Sequence, residues 1–179
     1  MALVDVELRV KRFNPDVDDR PHWESYRVRA EPTDRVLDVL HTVRWEQDGT
    51  LAFRRSCAHG VCGSDAMMIN GANALACIEL VRDAAGPEGG TVTVEAIRGL
   101  PLLKDLVVDM EPFFAQYRSV LPHLVAADDP GFEERLHILD AQSGVWRCRT
   151  AFNCTDACPR GIKVTQAIQE VKRAIVDPG

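Results

Sequence analysis

The first thirty residues carry a regular alternation of apolar and polar side chains. Apolar residues occupy every second position from Val4 to Val10 and again from Tyr26 to Ala30, with charged residues between them. A period of two is typical of a strand with one buried face, because successive side chains of a strand point to opposite sides. The polar stretch between the two runs, residues 14–21, contains two prolines and an asparagine. It predicts a turn, so this region should form a two-stranded hairpin.

The period then becomes helical. Apolar residues recur three to four positions apart from Val36 to Val43, and Thr33 or Asp34 can cap the free amides of the first turn. Further along, TVTVEAIR (91–98) returns to the alternation of a strand. A single helix among strands, without repeated strand–helix–strand units, predicts an α+β fold for the first hundred residues.

The end of the chain is predicted to be helical. Residues 101–128 read as an apolar connector, and from Asp129 a second domain is expected, with Asp129 as the helix cap and Pro130 in the first turn. Two apolar stripes at helical spacing follow. Their members are Phe132, Leu136 and Leu139 in the first stripe, and Val164, Ile168, Val171 and Ile175 in the second.

Composition excludes some classes of partner and compartment. The chain has 179 residues, of which 46% are hydrophobic, which is enough to bury a core without disulfide bonds. A net charge of −6 and the absence of a basic run argue against a nucleic-acid backbone as partner. No apolar run approaches the ~20 residues that cross a bilayer, and the N-terminus does not resemble a signal peptide. We expect a soluble chain that is not exported.

The six cysteines are the most informative feature. They fall into two groups, and in a reducing compartment grouped cysteines more often bind metal or take part in redox chemistry than form disulfides. The groups are Cys57, Cys62 and Cys77, and Cys148, Cys154 and Cys158.

The spacing of the first group indicates an iron–sulfur site. Four residues separate Cys57 from Cys62, two separate Cys62 from Asp65 and eleven separate Asp65 from Cys77. The first two gaps equal those of the plant-type [2Fe–2S] loop, C-x4-C-x2-C followed by a distant cysteine. Asp65 stands where that loop carries its third cysteine, and a carboxylate can bind iron as a harder ligand than thiolate. We therefore predict that these four residues bind a [2Fe–2S] cluster.

Other interpretations of the same residues stay open. An Asp after Gly-Ser is also typical of an Asx turn, in which the carboxylate accepts bonds from nearby amides. The three cysteines are also compatible with buried thiols or zinc, although structural zinc sites favour duplicated C-x2–4-C pairs, which this group lacks. Gly60, Gly63 and Gly71 favour the cluster, because glycines let backbone amides approach its sulfides closely.

Two stretches of the chain carry a family resemblance. SCAHGVCGSDAMMINGANALAC (56–77) and LPLLKDLVVDMEPFFAQYRSVLPHL (100–124) resemble the iron–sulfur subunit of succinate dehydrogenase and fumarate reductase, the respiratory complex II family. The resemblance extends over nearly all of the chain, and some members carry Asp at the position of Asp65. It implies an N-terminal β-grasp, plant-type ferredoxin-like domain over 1–100, the connector 101–128, and an incomplete α-helical ferredoxin domain over 129–179.

The resemblance also assigns the second cysteine group. Five residues lie between Cys148 and Cys154, three between Cys154 and Cys158, and Pro159 follows, as at the end of the bacterial two-cluster run. In the family, the cysteines matching Cys148 and Cys154 bind a [3Fe–4S] cluster. The cysteine matching Cys158 binds a [4Fe–4S] cluster.

Those two sites are incomplete in this sequence. Both need cysteines from an earlier C-x2-C-x2-C-x3-C-P run, which is absent. The resemblance ends near Leu124 and resumes near Pro130, so we predict that several dozen residues are deleted between them. Either the chain given is not the whole functional subunit, or it is a shortened relative that keeps only the [2Fe–2S] centre.

Some neighbouring residues have weaker assignments. In the family, the residue after the first C-terminal cysteine contributes to the quinone pocket, which makes Arg149 a hypothetical contact for quinone or lipid phosphate, against the simpler interpretation of a surface arginine. The histidines are interpreted as solvated residues and the aromatic residues near the cysteines as packing that keeps water out. These are His59, His123 and His137, and Trp146 and Phe152.

The resemblance implies electron relay. An FAD-containing flavoprotein subunit would bind succinate or fumarate, and this chain would pass electrons to quinone at a membrane anchor, as the peripheral electron-transfer subunit of succinate:quinone oxidoreductase on the cytoplasmic side of the membrane. No acid, base or nucleophile is required of the chain itself. The alternatives are a shortened docking or assembly module, or a single-cluster [2Fe–2S] ferredoxin.

Overall fold

The computed structural model describes residues 2–120, 131–142, 144–159 and 161–177. The chain divides into two compact units, residues 1–109 and residues 110–179. The predictions for Asp129, Pro130, His123 and the deletion between Leu124 and Pro130 lie outside the described residues.

The first unit is built on a mixed five-stranded sheet. Its strands are β1 (Val4–Arg12), β2 (His22–Ala30), β3 (Ala66–Ile69), β4 (Ala72–Leu75) and β5 (Gly89–Ala96). The order in the sheet is β2-β1-β5-β3-β4. Only the β1–β5 pair is parallel, and the other three pairs are antiparallel. The predicted first hairpin is confirmed, and the predicted closing strand begins and ends two residues earlier than expected.

The parallel contact between β1 and β5 requires a glycine. Gly89 pairs with Asp5 and has φ of +88°. A Cβ atom at this position would lie 2.3 Å from the Asp5 carbonyl oxygen. Only a residue without a side chain allows β5 to begin this close to β1.

Helix α1 (Val36–Glu46) covers the apolar side chains of the sheet and confirms the predicted helical period. Five of its residues are buried in one core with alternate residues of β1, β2 and β5, and each buried valine or leucine contributes about 1.5–3 kcal/mol. They are Val36, Leu37, Val39, Leu40 and Val43. A short helix, α2 (Val81–Ala84), precedes β5.

The predicted cap of α1 is wrong. Asp34 accepts a hydrogen bond from the amide of Glu31 at 2.8 Å, within the turn that precedes the helix. The cap is formed one residue later, where the Arg35 amide donates to the Asp38 carboxylate at 3.0 Å. The periodicity of apolar residues predicted the helix correctly, but the adjacent polar residues Thr33 and Asp34 did not show where it begins.

A charged network closes the open end of β1. Arg12 is buried, and its Nε donates to Asp105 Oδ1 at 2.9 Å, while its Nη1 contacts Tyr26 and Asp48. Asp105 also accepts the amide of Phe13 at 3.0 Å. It lies between β6 (Leu102–Lys104) and β7 (Val107–Val108), which form a small hairpin. This network attaches the hairpin to the sheet.

The second unit is helical in its described parts. It contains α3 (Glu111–Val120), α4 (Phe132–Asp140), a 3-10 turn (Val145–Arg147), α5 (Asn153–Asp156) and α6 (Val164–Val176). Helices α4 and α6 pack together, as do α5 and α6. Leu136, Leu139 and the predicted α6 stripe are half-buried, and Thr165 is the one residue of the described part of this unit that is fully buried.

Candidate metal centre

The predicted cluster loop is anchored at its N-terminal end by buried residues. Leu51 and Phe53 are buried, and between them the Ala52 amide donates to Asp105 Oδ2 at 2.8 Å. Arg54 Nη1 donates to the Val108 carbonyl at 2.7 Å. The chain therefore enters the loop from a fixed position, set by the same carboxylate that pairs with Arg12.

The loop turns back on itself through left-handed backbone conformations. Ala58, Gly60 and Gly63 have φ of 56°, 80° and 72°. A Cβ atom on Gly60 would meet Ile78 Cδ1 at 2.3 Å, and the Gly60 amide points at Cys77 Sγ with an N···S distance of 3.2 Å. Gly60 thus brings its amide close to a cysteine sulfur, while the approach of glycine amides to the sulfides of a cluster stays a prediction. Gly71 follows Asn70 in the β3–β4 turn at the other end of β3.

Cys57 and Cys62 face each other across the loop. The Cys57 amide lies 3.5 Å from Cys62 Sγ, and the Cys62 amide lies 3.3 Å from Cys57 Sγ. Cys62 Sγ has two further neighbours on Ser64, the amide at 3.4 Å and the hydroxyl at 3.1 Å. The loop therefore surrounds half-buried Cys57 and exposed Cys62 with hydrogen-bond donors, an arrangement that suits sulfur ligands of iron.

The two ends of the site differ in protonation. Hydrogen bonds from the amides of His59 and Cys62 lower the pKa of the Cys57 thiol to about 6. Burial, followed by the neighbouring Asp65 carboxylate, raises the pKa of the Cys77 thiol to about 11. The loop therefore favours the thiolate form at Cys57, whereas burial favours the protonated thiol at Cys77.

Asp65 is buried beside Cys77. Its Oδ2 accepts the Cys77 amide at 2.6 Å, a contact between residues twelve apart in sequence. Its Oδ1 is buried without a hydrogen-bond partner. The Asx-turn alternative is therefore wrong, because the carboxylate is held by a distant residue and not by the amides of its own turn. An unpartnered buried carboxylate oxygen is costly unless a cation or metal satisfies it.

The start of α1 fixes the Cys77 segment. Arg35 Nη1 donates to the Cys77 carbonyl at 2.6 Å, and the Leu37 amide donates to the Ala76 carbonyl at 2.9 Å. The first turn of a helix has free amides, and here one of them holds the residue before Cys77. Cys77 is consequently the most rigidly placed sulfur of the group, fully buried against the core.

This donor set fits a [2Fe–2S] cluster. Three cysteine sulfurs and one unpartnered carboxylate oxygen are presented by a single loop and the strand pair that follows it. Two of the sulfurs are on the exposed loop, and the third lies with the carboxylate at its buried base. Within the described parts of the chain, no three His, Cys, Asp or Glu side chains converge on a single metal-ion position.

The second cysteine group lies in a loop and a short helix. Cys148 and Cys158 are half-buried and Cys154 is exposed. The Cys148 carbonyl accepts Lys172 Nζ at 2.8 Å, and Cys154 Sγ lies 3.5 Å from the hydroxyl of buried Thr165. Helix α6 therefore supports this loop from one side.

Two aromatic residues near the second group are more exposed than the sequence predicted. Trp146 and Phe152 are 44% and 53% exposed, so the prediction that they shield the cysteines is wrong. Trp146 Nε1 donates to Asp140, and Lys172 lies over its ring. Arg149 is exposed, in agreement with a surface arginine, and so are His59 and His137. His59 Nδ1 contacts the Cys57 carbonyl at 2.6 Å.

Three residues near the first group escaped prediction. Ser64, Arg35 and Asp105 contact ligand residues or hold the loop that carries them. Nothing in the spacing of the cysteines points to them, because each acts through a fold contact. A signal did exist for the β3–β4 hairpin, since Asn-Gly between apolar runs is a strong hairpin indicator.

The described helices include none that is both long enough and apolar enough to cross a membrane.

Comparison with known proteins gives a family match. Residues 7–115 match the family described as a 2Fe-2S iron-sulfur cluster binding domain. This match contains all four predicted ligands of the first group and more than half of the chain.

Curated relatives extend the similarity into the second unit. The succinate dehydrogenase iron-sulfur subunit of Coxiella burnetii is 38% identical over 155 residues, and the fumarate reductase iron-sulfur subunit of Mycobacterium tuberculosis is 37% identical over 159. These alignments include 84% and 86% of this chain but only 64% and 63% of the relatives. The chain thus spans less than two thirds of their length. The resemblance found in the sequence is confirmed.

A longer alignment shows that the two lengths differ. The succinate dehydrogenase iron-sulfur subunit of Paracoccus denitrificans is 29% identical over 229 positions, with 94% of this chain and 87% of the relative included. Because 229 positions exceed the 179 residues of this chain by fifty, at least fifty aligned positions have no residue in it.

Solved structures support the fold. The structure of the Mycobacterium smegmatis Sdh1 complex in the apo form contains a chain that matches with a TM-score of 0.79 at 23% identity, over 99% of this chain and 98% of that one. A hypothetical protein from Helicobacter pylori matches with a TM-score of 0.60 at 16% identity, over 99% of this chain and 41% of that one. At these identities the matches concern the fold alone.

Proposed function

Because this chain belongs to the 2Fe-2S iron-sulfur cluster binding domain family, we propose that it is an electron carrier. Its [2Fe–2S] cluster would be bound by Cys57, Cys62, Asp65 and Cys77. The observation that carries the proposal is the buried Asp65 carboxylate, which has one oxygen fixed by the Cys77 amide and the other without a partner. A carboxylate in this arrangement is suited to bind a metal at the position of the missing cysteine.

When bound, such a cluster supplies one-electron transfer and needs no acid, base or nucleophile from the protein. The chain's residues set the conditions for it. Amides of Cys57, Gly60 and Ser64 point at ligand sulfurs and stabilise their negative charge. Burial of Asp65 and Cys77 keeps water from one side of the site, while exposed Cys62 leaves the other side open to an electron-transfer partner.

The proposed fold of each unit follows from the same family membership. The first unit would be a β-grasp domain of the plant-type ferredoxin kind, and the second an α-helical ferredoxin domain that is incomplete. The mixed sheet with a helix across it supports the first assignment, and the helices of residues 110–179 support the second. The limits 1–100, 101–128 and 129–179 remain a prediction.

We propose that the cysteines of the second unit correspond to ligands of a larger relay in the family. Cys148 and Cys154 would contribute to a [3Fe–4S] cluster and Cys158 to a [4Fe–4S] cluster, in a protein that also supplies the C-x2-C-x2-C-x3-C-P run. Cys154 is exposed and the alignment with the Paracoccus relative has at least fifty unmatched positions, which supports the proposal that additional chain completes these sites.

The partners are proposed from the family resemblance. In that family, the iron–sulfur subunit of succinate dehydrogenase or fumarate reductase passes electrons between a flavoprotein subunit with FAD and membrane quinone. We propose that this chain is a peripheral member of such a succinate:quinone oxidoreductase, at the cytoplasmic face of the membrane. Arg149, exposed beside Cys148, stays a hypothetical contact for quinone or lipid phosphate.

A second candidate is a chain with one working cluster. The fifty or more unmatched positions and the exposure of Cys154 favour it, because they leave the second unit without the ligands of a relay. Such a chain would serve as a single-cluster [2Fe–2S] ferredoxin. If its first site held no iron either, it would be a docking or assembly module.

The deciding experiment measures iron and acid-labile sulfide in anaerobically purified protein, together with low-temperature EPR spectra of the oxidised and reduced forms. The proposal expects about two irons and two sulfides per chain with a reduced [2Fe–2S] signal. Protein that remains free of iron after anaerobic reconstitution would exclude an electron carrier and leave the docking module. Co-purification with an FAD-containing protein and a membrane protein separates the relay from the free ferredoxin.

A further inference from the structure

We propose that the Ser64 hydroxyl sets the reduction potential of the cluster by donating a hydrogen bond to the Cys62 sulfur. This inference rests on the proposed [2Fe–2S] site and goes beyond it, because it assigns the control of potential to a side chain that does not bind iron. Ser64 acts through Cys62 and is therefore a positioning residue.

The contact itself is short and well supported. Ser64 Oγ lies 3.1 Å from Cys62 Sγ, within the range for hydrogen bonds to sulfur. The same sulfur is approached by the amide of Ser64 at 3.4 Å and the amide of Cys57 at 3.5 Å. Of these three donors, the hydroxyl is the closest and the only one that a substitution can remove without changing the backbone.

Iron binding determines the direction of this hydrogen bond. In a free thiol either Cys62 or Ser64 can be the donor. Once Cys62 binds iron it is a thiolate without a proton, so the hydroxyl of Ser64 must donate. The loop thus converts an ambiguous contact into a charge-assisted hydrogen bond.

The hydrogen bond favours the reduced form. Reduction adds one electron from an external reductant to the cluster, with no covalent bond made or broken, and the proton stays on Ser64 Oγ. The added charge is shared with the sulfur ligands, so a donor to Cys62 stabilises the reduced form more than the oxidised form. Removal of the hydroxyl should lower the reduction potential.

The loop provides a matched control. Ser56 is exposed and directly precedes Cys57, and its side chain makes no hydrogen bond among the described residues. Ser56→Ala and Ser64→Ala remove the same atom from the same loop. Only Ser64→Ala removes a donor to a ligand sulfur.

The test is an EPR-monitored redox titration of the full-length, cluster-loaded protein with dithionite and mediators, after iron and sulfide have been measured for each variant. We expect a lower midpoint potential in Ser64→Ala, a potential near the wild-type value in Ser64→Thr, and no shift in Ser56→Ala. An unshifted Ser64→Ala with a full cluster would overturn the inference, as would an equal shift in Ser56→Ala.

If Ser64→Ala loses the cluster, Ser64→Thr and Ser64→Val provide the comparison, because they differ only by a hydroxyl in place of a methyl group. Equal potentials in this pair would also overturn the inference. These outcomes can be distinguished from a failure of the proposed function, because in that case the wild-type protein itself would show no [2Fe–2S] signal.

Discussion

At the scale of single residues, Asp65 links the fold to the candidate chemistry. One carboxylate oxygen accepts the amide of Cys77 and so fixes the two residues against each other. The other oxygen is buried and unpartnered. A cysteine at this position would have to use a single sulfur atom for both contacts. The aspartate therefore supplies a structural hydrogen bond and, in the proposed site, would supply a ligand atom at the same time.

Substitution of Asp65 tests this dual role. We expect Asp65→Ala to weaken cluster binding by more than about tenfold, because it removes a ligand and the contact that positions Cys77. Asp65→Cys should keep two irons but change the EPR spectrum and the potential, because a thiolate is a softer ligand. Iron analysis and EPR spectra of both variants check the prediction.

Asp83→Ala serves as the control, since Asp83 is an exposed aspartate of α2 whose side chain is 60% accessible. It should retain wild-type iron. An Asp65→Ala protein with unchanged iron content and an unchanged spectrum would remove Asp65 from the ligand set.

The sequence could predict the residue types of this site but not its internal contacts. The spacing of Cys57, Cys62 and Asp65 is a local property, so it can be compared directly with the plant-type loop. The bond from Cys77 to Asp65 depends on the β3–β4 hairpin returning the chain to the loop. The burial of Trp146 and Phe152 was also predicted wrongly, because the apolar character of a side chain does not say whether other parts of the fold cover it.

At the scale of elements, the charged network around Arg12 holds β1, the start of the cluster loop and the β6–β7 hairpin together. Asp105 is the centre of this network, because it accepts Arg12, the Phe13 amide and the Ala52 amide. Its φ of +49° is one that aspartate and asparagine tolerate better than most residues. The elements with regular periods, β1, β2 and α1, were predictable, whereas this network joins residues about ninety positions apart.

Asp105→Asn is a specific test of the charge, because asparagine also tolerates the left-handed backbone. It removes the fully buried carboxylate partner of Arg12, which keeps Asp48 and Glu24 as anionic partners, and a buried hydrogen-bonding group that loses its partner typically costs about 1–3 kcal/mol. We expect a loss of this size in the free energy of unfolding, measured by denaturant titration. Asp5→Asn, which removes an exposed partner of Arg29, should cost less than about 1 kcal/mol. Equal effects of the two substitutions would contradict the role of the network.

The same network predicts a pH dependence. Burial alone would raise the pKa of Asp48, but hydrogen bonds from Thr50, Arg12 and Tyr26 outweigh it and hold the pKa of this carboxyl well below its usual range. The unfolded chain then binds a proton at higher pH than the folded one. The stabilisation is fully present above the unfolded pKa of about 4 and is lost as pH falls from there towards the folded pKa.

Asp48→Asn removes this titration. Between pH 5 and pH 3, the free energy of unfolding of the wild type should therefore fall more steeply than that of the variant, by up to about 1.4 kcal/mol per pH unit below pH 4. Denaturant titrations at several pH values measure the difference, and loss of the cluster in acid affects both proteins alike. Parallel pH profiles would show that Asp48 is not stabilised by its hydrogen bonds.

At the scale of the whole molecule, the two units differ in how many buried residues and candidate metal ligands each of them contains. Residues 1–109 contain an apolar core shared by the sheet and α1, with a loop that presents four candidate ligands. In the described part of residues 110–179, Thr165 alone is fully buried, and the cysteines are half-buried or exposed. By the proposed assignment, Cys148 and Cys154 would be two of three ligands for one cluster and Cys158 would be one of four for another.

This contrast predicts how much iron the chain can bind by itself. A variant with Cys148→Ser, Cys154→Ser and Cys158→Ser should keep about two irons per chain and the reduced [2Fe–2S] signal, because neither C-terminal site has enough ligands to hold a cluster. Cys62→Ser should lose most of the iron, since it replaces a ligand of the first site. Iron analysis and EPR spectra of both variants, purified anaerobically beside the wild type, make the comparison. Loss of iron in the triple variant, or an oxidised [3Fe–4S] signal in the wild type, would mean that the C-terminal cysteines already hold a cluster and that the relay extends through both units.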